Sequence, residues 1–173
     1  MADLLEILKY TLPAIVVFLT SFFILKLYLK NEEKKRKFEL SMNQKDSILP
    51  LRLQAFERLI LYLERISPDS LVMRFKNTRL SVVELQNELV NAVRTEFEHN
   101  LAQQTYVSIQ AWEMIKAARG DTIKLINESA AELKAKDPGL NLSKRILEKA
   151  MELQKAPNYA AIQYLKKEVN DLF

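Results

Sequence analysis

One residue in this chain has the side chain most used for metal ligation and for proton transfer near neutral pH. It is His99, in Glu96-Phe97-Glu98-His99. On a helix, Glu96 and His99 share a face, which is half of the carboxylate–histidine signature of di-iron bundles. The full signature needs a second such pair and two further glutamates. With a single histidine, the second pair would have to come from another subunit. No metal ligand is therefore expected, and Glu96 with His99 supports only an alternative reading, a ligand- or metal-responsive helical module. Phosphotransfer on His99 is disfavoured too, because Asn100-Leu101-Ala102-Gln103-Gln104 lacks the lysine and glycine usual after a phosphorylated histidine. The absence of cysteine excludes disulfides, thiolate metal sites and thiol nucleophiles. Gly120 and Gly139 stand alone, whereas phosphate-cradling loops need several glycines in one turn. No serine lies in a nucleophile-elbow context. The expectation is a protein that is not an enzyme, with no catalytic residue, cofactor or small-molecule substrate.

The elements that would position such residues are helices. Two glycines and five prolines in 173 residues leave too few tight turns for an all-β or doubly wound fold. The net charge of +4 hints at nucleic acid until it is divided by position. Residues 1–49 carry eight Lys/Arg against six Asp/Glu, and residues 50–173 carry 18 against 16. A phosphate-neutralising domain concentrates its basic residues, and this one mixes both signs, so no nucleic-acid partner is expected.

Residues 10–25, YTLPAIVVFLTSFFIL, contain no charge and are flanked by Lys9 and Lys26. They rise about 24 Å as a helix, a little short of a hydrocarbon core of about 30 Å. Lysine stems that snorkel, and apolar residues on either side, extend the reach. Asp3 and Glu6 at the start, and no small-residue cleavage site at the end, argue against a cleaved signal peptide. Lys26, Lys30, Lys34, Lys35, Arg36 and Lys37 follow the span, so the positive-inside rule places the carboxyl-terminal side in the cytoplasm. The same residues could contact anionic headgroups. The expected fold is all-α: an amino-terminal transmembrane anchor (1–30), a basic juxtamembrane stalk or linker (31–48), and a cytoplasmic helical bundle (49–173).

In the bundle, LPLRLQAFERLILYLERISP spans residues 49–68. Phe56, Leu59, Leu63 and Ile66 align on one face, but Leu51, Ile60 and Leu61 widen the apolar arc beyond a two-stranded seam. Such a helix packs first against its own domain and next against a second copy. Ser67-Pro68 starts a short helix ended by Lys76-Asn77-Thr78. Ser81 with Glu84 forms a capping box for a helix to about Asn100, with Val82, Leu85, Leu89, Val93 and Phe97 as its stripe. Ser108 caps a helix that passes through Gly120 to Lys136. Ser143 caps another, and Pro157 opens the last. Trp112, with Phe97 and Tyr106 near it in sequence, is either core or a binding anchor.

The single amino-terminal span, LPLRLQAFERLILYLERISP and EFEHNLAQQTYVSIQAW together resemble a family of small membrane-anchored proteins of Bacteroidota with no established function. The resemblance implies a bacterial inner (cytoplasmic) membrane location, and it implies no activity or cofactor. The expected role is an accessory or scaffold subunit of an inner-membrane complex, acting by helix–helix packing. Its partner is another membrane protein complex or a second copy of itself. Phe56, Leu59, Leu63, Ile66, Phe97, Tyr106 and Trp112 are the expected contact surface.

Overall fold

The computed structural model describes the backbone of residues 2–75, 79–153 and 155–172, and among these the side chains at 15–37, 42 and 48 onward. Its described residues form six α-helices and one 3-10 turn, with no strand; Ser81 and Pro138 make an isolated antiparallel bridge. The all-α expectation holds. Two compact units are present, Met1–Leu49 and Pro50–Phe173.

Helix α1, Ala2–Arg65, supplies the whole first unit and the start of the second. In the first unit, Ile15, Val16, Val17, Phe18 and Leu19 are exposed, as are Phe22 to Leu25 and Leu27 to Leu29. Thr20 donates its hydroxyl to the Val17 carbonyl at 2.9 Å, so the helix itself satisfies this polar group. Among the described residues no helix is long and apolar enough to cross a membrane. The expected span begins at residues 10–14, whose side chains lie outside those described. The transmembrane half of the fold expectation is therefore not carried by the structure.

In the second unit the buried positions of α1 are Ala55, Phe56, Leu59, Tyr62 and Leu63. The last carbonyls of a helix have no partner within it. Here Leu63 O accepts from the buried Asn158 Nδ2 at 3.0 Å, and Arg65 O accepts from Arg74 Nη2. Helix α2, Pro68–Arg74, starts as expected: the Ser67 hydroxyl accepts from Ser70 N, and proline takes the first position, where its missing N–H costs nothing. The expected stop at 76–78 lies outside the described residues. Helix α3, Val82–His99, buries its whole predicted stripe. Its capping box is formed by Ser81 N and the Ser81 hydroxyl, both donating to Glu84 Oε2 at 2.9 and 2.7 Å. These two hydrogen bonds, the backbone one foremost, hold the Glu84 carboxyl below its ordinary pKa. A 3-10 turn, Leu101–Tyr106, follows α3.

Helix α4, Ile109–Ala131, packs against α3, α5 and α6 and is the centre of the unit. It passes through Gly120 as predicted but ends five residues before Lys136. Its buried hydroxyls need no outside partner, since Thr122 and Ser129 donate to the carbonyls of Ala118 and Leu125 at 2.9 and 2.7 Å. Helix α5, Gly139–Glu152, begins before the predicted cap, and Ser143 is a buried interior residue. The cause is long-range: Gly139 N donates to Leu80 O at 2.8 Å and Val82 N to Asp137 O at 2.9 Å, which fixes the break directly before Gly139. Helix α6, Tyr159–Asn170, takes Asn158 as its N-cap, so Pro157 lies in the turn before it. On the surface, Glu132 past the end of α4 accepts from Lys149 and Arg145 of α5, which lowers its pKa.

Candidate functional site

Three places in the second unit bring polar chemistry together. The first joins α1, α4 and α6. Glu168 on α6 accepts from Ser108 N at 2.9 Å and from the Ser108 hydroxyl at 2.7 Å, adding a negative charge at the amino end of α4, where the helix dipole favours it. Arg52 on α1 approaches the same carboxylate at 3.6 Å and donates Nε to the Tyr106 carbonyl at 3.1 Å. Arg52, Ser108 and Glu168 are each paired, and the cluster joins three helices.

The second is an aromatic stack through the core. Tyr62 meets Phe97 with ring centroids 6.0 Å apart, and Phe97 stacks on Trp112 at 5.3 Å. The Arg119 guanidinium lies 4.1 Å from the Phe97 ring centroid, a cation–π contact.

The third contains the pair singled out in the sequence. Glu96 and His99 line a cleft with Arg58, Leu61, Tyr62, Arg65 and Asn100, between the last turns of α1 and the carboxyl end of α3; its volume is about 260 Å³. Glu96 is not free to ligate, because Arg65 and Arg74 each bind one of its oxygens at 3.2 Å. Asn100 closes the end of α3 by donating Nδ2 to the Glu96 carbonyl at 2.8 Å. No group of three or more potential metal ligands occurs among the described residues. Tyr62 is 1% exposed, and its hydroxyl is buried without a hydrogen-bond partner among the described residues. Burial pushes the Tyr62 pKa up, with the Arg119 charge opposing and Glu96 adding to the rise, so the hydroxyl keeps its proton.

The expected partner surface is placed differently. Phe56, Leu59, Leu63, Ile66, Phe97 and Trp112 are buried, and Tyr106 is half-buried. These six side chains are part of the core of the unit and are not a face open to a partner. Lys26, Lys30, Lys34, Lys35, Arg36 and Lys37 are exposed on the first unit. Sequence reasoning missed Arg58, Tyr62, Arg65, Arg119 and Asn158. For Arg58 and Arg65 a signal existed, since FERL recurs in kind as LERI seven residues on and puts both arginines on one face of α1.

The described residues define an all-α-helical protein. Within that class, the chain matches a family of unknown function, DUF7935, over residues 2–172, and it belongs to that family. No curated protein and no solved structure matched it.

Proposed function

We propose that this protein is a non-enzymatic, membrane-anchored interaction protein whose helical domain is held at a bilayer by its amino-terminal segment. The observation that carries this reading is the first unit's run of apolar side chains, Ile15 to Leu19, all exposed. Successive helical residues are about 100° apart, so five in a row are apolar on every side of the helix. A helix apolar all round is stable in hydrocarbon, and water is a poor solvent for it. The charge-free stretch of 10–25 and the lysines that follow support the same reading, with the second unit on the cytoplasmic side. The resemblance noted above favours a bacterial inner membrane. Because the α1 stripe is engaged in the domain's own core, the partner is proposed to pair with the apolar amino-terminal helix. That partner is another membrane protein or a second copy, which makes the protein an accessory or scaffold subunit.

The test uses the full-length chain in bacterial membranes. Wild type is expected to stay with the membrane in alkaline carbonate and to leave it in mild detergent. Placing a charge mid-segment, Phe18→Arg, costs about 2.5–3.5 kcal/mol of insertion and releases a large soluble fraction. Wild type found wholly soluble refutes the anchor. A lone monomer on native mass analysis of the detergent extract refutes the interaction role.

A further inference from the structure

The cleft of Arg58, Tyr62 and Arg65 has properties that packing alone does not account for. Three arginines surround one carboxylate: Arg65 and Arg74 bind Glu96, and Arg58 has no ion pair among the described residues. Counted over these four side chains, the positive charges exceed the negative by two. Arg58, Leu61, Tyr62 and Arg65 follow one another at helical spacing along a single face of α1, so the charges flank an apolar floor. Tyr62 lines that floor, and its hydroxyl is the one buried side-chain polar atom without a partner among the described residues. Buried polar groups are nearly always hydrogen-bonded, and an unmet one costs stability. Tyr62 therefore retains a donor for which the described residues supply no acceptor. A ligand that meets both conditions carries two negative charges and several acceptor oxygens. A metal cation meets neither.

We propose that this cleft binds a phosphate monoester, with the Arg58 and Arg65 guanidinium groups pairing its oxygens and the Tyr62 hydroxyl donating to one of them. Guanidinium forks match phosphate geometry and form the stronger, charge-assisted hydrogen bonds. His99 and Asn100 at the rim bring further donors within the same cleft. The site lies wholly within the second unit, and the proposal does not rest on the membrane anchor.

The experiment is a calorimetric titration of the full-length protein in a non-ionic detergent with inorganic phosphate, at fixed ionic strength against a chloride control. Saturable binding with a Kd of about 1 mM or tighter is expected. Arg58→Gln is expected to weaken it by about tenfold or more, and Tyr62→Phe by about five- to tenfold, each being the loss of a hydrogen bond to a charged group. Tyr62→Phe keeps the ring on Phe97, and without phosphate it melts at or above wild type; that result separates lost binding from lost folding. Competition then distinguishes the two sources of such a group. Displacement of phosphate by phosphatidate added to the micelles identifies a lipid headgroup, and displacement by phenyl phosphate alone identifies a soluble phosphomonoester. Phosphate that binds no better than chloride, or equal affinity in wild type, Arg58→Gln and Tyr62→Phe, overturns the proposal.

Discussion

The two glycines of this chain predict opposite outcomes for the same substitution. Gly120 sits in the interior of α4, and a Cβ built there meets nothing within 4 Å. Gly120→Ala lowers the entropy of the unfolded chain and suits the helix, so it should stabilise by about 0.5–1 kcal/mol. At Gly139 the Cβ would stand 2.8 Å from the Leu80 carbonyl oxygen and 3.1 Å from Leu85 Cδ2. Neither neighbour yields easily. Leu80 O is backbone and already accepts from Gly139 N at 2.8 Å, and Leu85 is a buried core side chain. Overpacking of this kind costs about 1–3 kcal/mol, and the helix-propensity gain of alanine offsets only part of it. The net expectation for Gly139→Ala is a loss of about 1–2 kcal/mol. Thermal unfolding of the full-length variants, followed by circular dichroism, checks both signs, at about 4 °C per kcal/mol for a chain of this size. The two variants should therefore differ by roughly 6–12 °C on that scale. A Gly139→Ala midpoint equal to wild type would show that the Leu80 and Gly139 segments part freely. The close bridge would then not be what sets the start of α5.

Other perturbations probe the remaining joints. Asn158→Ala leaves the Leu63 carbonyl without its 3.0 Å partner in a buried place. It should lower stability by about 1–3 kcal/mol, read as a fall in urea midpoint with unchanged slope. For pH, the Glu84 and Glu132 carboxyls are held below their ordinary value of 4.5, Glu84 by Ser81 and Glu132 by Lys149 and Arg145. The unfolded chain then binds protons more readily, so the stability they contribute is complete above pH 4.5 and declines as the pH falls through their folded values. Urea midpoints measured from pH 6 down to pH 3 should drop (about that range, where carboxylates titrate), and Glu84→Gln should flatten part of the decline. An unchanged slope in Glu84→Gln would count against the capping box as a source of acid sensitivity.

Much of the helix order was legible because starts are local. Ser67-Pro68, Ser81 with Glu84, and Ser108 each carry their cap within a few residues, and each marks a real start. Ser143 carries the same local signature and is not a cap, because the contact that starts α5 joins Gly139 to Leu80, far away in sequence. The candidate site was legible by half. Glu96 and His99 stood out as a chemical pair, while the arginines that neutralise Glu96 come from α1 and α2 and meet it only in the fold. Tyr62 went unremarked for a related reason. At helical spacing a tyrosine counts as one more apolar position, and only the packed structure shows its hydroxyl without an acceptor among the described residues.

The two apolar stretches of α1 make the functional argument by their difference. From Phe56 to Leu63 the apolar residues recur at the helical period, and Phe56, Leu59, Tyr62 and Leu63 are buried while Glu57, Arg58, Leu61 and Glu64 are exposed. That pattern needs one apolar neighbour on one side, and the second unit's own helices provide it. From Ile15 to Leu19 there is no period, and all five side chains are exposed. A striped helix can be satisfied by a protein face, but a helix apolar on every side needs an apolar medium all around it. The same residue types therefore serve two roles. Period separates them, and the proposed membrane anchor rests on the second.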